Sequence, residues 1–164
     1  MAFLLRKITK PKWYDTDWLP RGEVPADGLV DLRTDGNELS VWRVEPDESN
    51  LNAIVAALAG RGKRIDKLDY VLLDDDVVTR LQIGCVQSDG DSPHTDANSR
   101  WHRDLVQLTA TKIIELAREV KRREAGHKRV NQHAIKRILK NALDSGAMQR
   151  SAVDADLLAE LDSP

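Results

Sequence analysis

One cysteine (Cys85), one phenylalanine and two tyrosines are all that 164 residues hold of these types. A lone cysteine excludes an intrachain disulfide, so a reducing, cytoplasmic setting is expected. No apolar run approaches the roughly 20 residues of a membrane span, and no membrane partner is expected. The opening stretch, Met1 to Ile8, is too short for the apolar core of an export signal and has no cleavage site, so no leader is expected. Repeats and low-complexity tracts are missing. Also missing are zinc-finger spacing, H-E-x-x-H, G-x-S-x-G and an RNA-recognition signature. After Trp101 there is no Phe, Tyr or Trp, so stacking of unpaired bases on the C-terminal third is not expected.

What is present in excess is locally concentrated positive charge. Arg118 to Lys140 holds nine Lys and Arg against two Glu, in a chain of formal net charge −2. Such asymmetry bears on partners rather than on fold. Arg122, Arg123, Lys128, Arg129, Lys136, Arg137 and Lys140 are therefore candidates for binding nucleic acid or an acidic partner. A short turn near Ala125-Gly126 would gather them at one end of a basic helical hairpin, 118–140, as phosphate contacts require. The bland alternative is a solvated helix face with cations complementing a helix C-terminus.

The hydrophobic periods predict an α+β protein. Ala2 to Ile8, Leu29 to Arg33, Leu39 to Val44, Leu68 to Leu73 and Gln82 to Gln87 read as strands of a small, mostly antiparallel sheet. Asp35-Gly36-Asn37 reads as a hairpin turn between the second and third of these. Leu51, Ile54, Val55 and Leu58 give the covering helix one apolar face, with Ser49 as its N-cap and Gly60 and Gly62 as its stop. Asp74 to Asp76 open a short helix. From Asp96 the period turns helical: Trp101 to Val120, then Ala134 to Leu143, then a third helix after Ser151. Residues 1–95 are expected as an α+β core, and 96–164 as a helical region packed on that core or on a partner.

Motifs for a reaction are weak. His94-Thr95-Asp96 and His102-Arg103-Asp104 supply ligand-type atoms, and Asp74 to Asp76 supply more. On a helix, His102 and Asp104 would point apart, leaving His94 and Asp96 as the only metal-ligand pair worth naming. His102-Arg103-Asp104-Leu105 spells part of the protein-kinase catalytic loop, but no Gly-rich loop or D-F-G accompanies it. Gly60-Arg61-Gly62-Lys63 looks like a phosphate loop, but it follows a helix rather than opening one. Cys85, in an apolar strand pattern, reads as a buried thiol.

Aromatics are spent on four Trp. Trp13, Tyr14 and Trp18 fall in a Pro-rich connecting segment, where they can anchor a protein partner. Trp42 and Trp101 read as sheet-sealing residues. The sequence thus points to a non-enzymatic protein that binds a macromolecular partner, as an accessory, regulatory or immunity-type subunit. A protein partner and a homo-oligomer are expected, and no cofactor. The alternative is nucleic-acid binding through the basic hairpin. A metal-dependent hydrolase using His94 and Asp96 is the third reading.

Overall fold

The computed structural model describes residues 1–163. Its centre is an antiparallel sheet of β1 (Phe3–Ile8), β2 (Leu39–Val44), β3 (Leu68–Asp74), β4 (Gly84–Gln87), β5 (His102–Val106) and β6 (His127–Val130), in the spatial order β4-β5-β2-β1-β3-β6. The protein is α+β, as the sequence predicts. Alternation along each strand splits its side chains between two faces, and both faces are covered. Leu5, Trp42, Val44, Leu68, Tyr70 and Leu72 point to one side. There they pack against α2 (Leu51–Ala59), α4 (Thr95–Trp101), α6 (Gln132–Asp144) and α7 (Ala155–Asp162). Leu4, Ile8, Leu39, Val41, Val71, Leu73 and Leu105 point to the other. That face is covered by α1 (Lys10–Tyr14), a 3-10 helix over Ala26–Leu32, the short α3 (Val77–Arg80) and α5 (Ala110–Arg122).

Local signals explain the helix starts. Thr109, Asn131 and Asp154 accept backbone N–H bonds from Lys112 (3.2 Å), Ala134 (2.9 Å) and Asp156 (2.9 Å) at the heads of α5, α6 and α7. At α2 the cap position belongs to Asn50, not Ser49. The Asn50 amide turns back instead to the exit of β2, accepting from the Glu45 N–H (2.9 Å) and donating to the Arg43 carbonyl (3.0 Å).

Three expectations change. Leu29 to Leu32 is 3-10 helix, not strand. The turn itself forms: Asp35 and Glu38 exchange backbone hydrogen bonds around Gly36 and Asn37, whose φ angles are +57° and +62°. Second, the helical stripe from Trp101 to Val120 is cut by β5, which slots between β4 and β2. Its residues alternate, with Leu105 into one core and His102 opposite Trp42 on the other face, so a period of 2 wins over a period of 3.6. Third, the basic segment is not a helical hairpin. After α5 the chain crosses as edge strand β6 and enters α6 on the opposite face of the sheet. Residues 96–163 therefore contribute two strands, β5 and β6, to the same sheet as residues 1–95.

Candidate partner-binding surface

The basic residues disperse with the hairpin. Arg123 pairs with Asp74. Arg122 donates to Glu119 at 2.6 Å, and Glu119 also receives Arg80 at 3.5 Å. Arg129 clamps Asp69 with two hydrogen bonds, 2.6 and 2.9 Å, across the β3–β6 ladder. That guanidinium holds the Asp69 carboxyl below its ordinary range despite burial. Lys136 donates to the Ser163 carbonyl at 2.8 Å. Of the seven candidates, only Lys128, Arg137 and Lys140 make no side-chain bond to the described residues. Much of the charge that looked available to a partner is spent on the chain's own carboxylates.

The three clustered aromatics separate in the same way. Trp13 is fully buried and donates its indole N–H to Asp31 at 2.9 Å. It sits in the core because α1 folds down onto the sheet rather than standing clear as a loop. Tyr14 is half-buried against His127, with its hydroxyl donating to the Val120 carbonyl at 3.0 Å. Trp18 alone is displayed, 73% exposed. Trp42 is buried and Trp101 half-buried.

The histidines are structural in their contacts. His94 is buried, and its Nδ1 accepts the Ala97 N–H (3.2 Å) as the cap of α4; burial lowers its pKa. Asp96 is exposed in the first turn of that helix. His102 and Asp104 share one face of β5, since the segment is a strand. Asp104 accepts the Ser40 hydroxyl at 3.1 Å, while His102 meets Ser88 at 2.9 Å and lies edge-on to Trp42. The Ser88–His102 pair had no signal in the spacing, because β-pairing alone sets it. Asp74 and Asp76 are engaged by Arg123 and Arg80. Among the described residues no three His, Cys, Asp or Glu gather in one cluster. Cys85 is exposed rather than buried, because β4 is a short edge strand with all four residues open.

Trp18 belongs to the chain segment between α1 and the 3-10 helix, and α5 positions that segment. Lys121 donates to the Trp13 carbonyl and to the Thr16 hydroxyl, both at 2.6 Å, and pins the segment's start. Leu19, Pro20 and Gly22 then bound a hollow of about 310 Å³ whose other wall is Arg118 and Arg122. At the opposite end of α5, Leu29, Val30, Leu108, Ile113 and Ile114 line a second hollow of about 730 Å³, with Val30 60% exposed. One layer of the protein thus carries an open tryptophan, a hollow lined by Arg21, Arg118, Lys121, Arg122 and Glu23 just after it in the chain, and an apolar hollow toward the other end of α5. Among the described residues no helix is long and apolar enough to cross a membrane. No family model, curated protein or solved structure matches the chain.

Proposed function

We propose that the protein is a non-enzymatic, cytoplasmic binding subunit of accessory, regulatory or immunity type. Its protein partner seats on the layer built by α5 and the segments before β2. The observation that carries this is Trp18: a large, rigid aromatic held 73% exposed in the segment whose next residues, Leu19 to Glu23, wall a hollow with Arg118 and Arg122. Trp and Arg are the residues whose burial dominates protein interfaces. The apolar hollow at Val30 extends the same layer and supplies dry contact area.

Self-association has less behind it. The apolar stripes of α5 and α6 are consumed on the two faces of the sheet: Leu116, Ala117 and Val120 on one, Ile135, Leu139 and Ala142 on the other. A second copy would have to use other surface, such as the Trp18 layer or the open edge of β4. Nor do His94, Asp96 and Asp74 to Asp76 converge to favour the hydrolase reading.

The test is affinity capture from the native cell, with wild type and Trp18→Ala in parallel, each with and without nuclease. A stoichiometric protein that survives nuclease and is lost with Trp18→Ala is the expected result. Equal recovery with both forms counts against the proposal.

A further inference from the structure

The cations that remain free lie where no basic run drew attention. The chain leaves α2 through Gly60 and runs Arg61-Gly62-Lys63-Arg64 before entering β3. This connection walls a groove of about 520 Å³ whose opposite side is Lys7, Ile8 and Thr9 at the end of β1. The groove continues past Lys7 and Leu58 into a second hollow of about 330 Å³ that reaches Arg6 and Val30. Lys7, Lys63, Arg64 and Lys67 all line the larger groove and all are exposed. None of the four makes a salt bridge to the described residues; the paired arginines are Arg61, Arg80, Arg122, Arg123, Arg129 and Arg150.

The acids nearby are fewer than the cations, and each already accepts a hydrogen bond. Asp69 is clamped by Arg129. Asp31 accepts from the Thr9 backbone and hydroxyl and from the Trp13 indole. Asp66 accepts its neighbour's N–H at 2.7 Å. Six cations (Arg6, Lys7, Arg61, Lys63, Arg64 and Lys67) face three carboxylates (Asp31, Asp66 and Asp69) along the two hollows, an excess of positive charge in a chain whose net charge is −2.

We infer that this groove binds the phosphodiester backbone of a nucleic acid. Four unpaired cations on mobile stems, along an open-ended groove, suit a polyanion with regularly spaced charges. No aromatic residue lines either hollow, so binding rests on charge and not on base stacking. The expected binding is therefore backbone-directed and sequence-independent. The four cations lie outside the Trp18 layer, which the second hollow touches only at Val30, and either proposal can fail without the other.

The experiment is fluorescence anisotropy with labelled duplex DNA and duplex RNA of about 20 base pairs, titrated from about 50 to 200 mM salt. A labelled polyglutamate peptide of equal length serves as the carboxylate probe. Four phosphate contacts give a log–log slope of roughly −3.6, a loss of about 100-fold or more over that range. Lys7→Gln, Lys63→Gln, Arg64→Gln and Lys67→Gln together should bring the slope close to zero. Lys128→Gln, Arg137→Gln and Lys140→Gln together, which remove unpaired cations elsewhere, should leave it unchanged. All seven are surface or near-surface side chains, and far-ultraviolet dichroism with a thermal melt verifies that each variant folds. Binding of DNA, RNA or both with this pattern supports the inference. It is overturned by no duplex binding at the lowest salt, by an unchanged slope in the groove variant, by equal loss in the comparator, or by polyglutamate binding as tightly as the duplexes.

Discussion

Tyr14 and His127 meet edge to face, ring centroids 4.2 Å apart and planes at 88°, with the phenol oxygen bonded to the imidazole Nε2. This contact ties α1 to edge strand β6 across 113 positions of sequence. The phenol donates to the Val120 carbonyl, so the imidazole must donate to the phenol. Nδ1 is then a bare acceptor, and it is buried with no partner. Burial depresses the His127 pKa from 6.5 to about 4 and keeps the ring neutral in the fold.

A pH dependence of stability follows. Between pH 6.5 and about 4 the unfolded chain binds the proton that folded His127 refuses. Stability therefore falls as pH drops through that window, by about 3 kcal/mol at most from this residue, and is independent of it above pH 7. Chemical denaturation at pH 7.5 and pH 4.5 should show a smaller difference in His127→Phe than in wild type. An identical difference in the two proteins would show that this ring is not the source.

Arg129 should behave as a structural residue. Its removal leaves the Asp69 carboxylate, only 6% exposed, without its guanidinium. Arg129→Gln should lower the melting temperature by roughly 2–4 °C at pH 7. It should leave the salt dependence of any nucleic-acid binding unchanged. Asp69 titrates below its usual range because Arg129 bonds to it. The pair's contribution is thus present above pH 3.8 and lost as pH falls through the depressed value, so the Arg129→Gln deficit should disappear in strong acid. A variant that melts like wild type but flattens the salt slope would return Arg129 to the binding residues.

Two tryptophans five positions apart should respond in opposite ways. Trp13→Ala empties a fully buried site and removes one of the three donors to Asp31, at a cost of about 3–5 kcal/mol. Trp18→Ala removes an exposed side chain and should move stability by less than about 0.5 kcal/mol. Urea denaturation of the two variants measures this directly. Comparable destabilisation by both would mean that Trp18 packs against the protein and is not presented.

The fold was readable where one period dominated. The strand over Leu68 to Leu73 and the face of α2 follow from local pattern alone, and so does the positive-φ turn at Gly36-Asn37. His102 to Val106 was not readable as a strand. Its period of 2 is short, it adjoins helices on both sides, and its partners in β2 and β4 lie far off in sequence. The basic segment misled for a related reason. Proximity in sequence suggested one cationic end, but β6 carries the chain to the other side of the sheet and hands Arg123 and Arg129 to Asp74 and Asp69. Conversely Lys7, far from Lys63 in sequence, joins the 61–67 connection only because β1 pairs with β3. In the Trp13–Trp18 segment the residue type was informative, but which ring faces solvent depends on how α1 packs.

The most direct measurement of the partner-binding proposal is site-specific photo-crosslinking in the native cell. A benzophenone side chain placed at position 17, next to the retained Trp18, should yield a discrete covalent adduct with one protein. The same group at position 137, exposed on the opposite face of the sheet, should yield none. No adduct at position 17, or the same adducts at both positions, would contradict the assignment of the Trp18 layer as the interface.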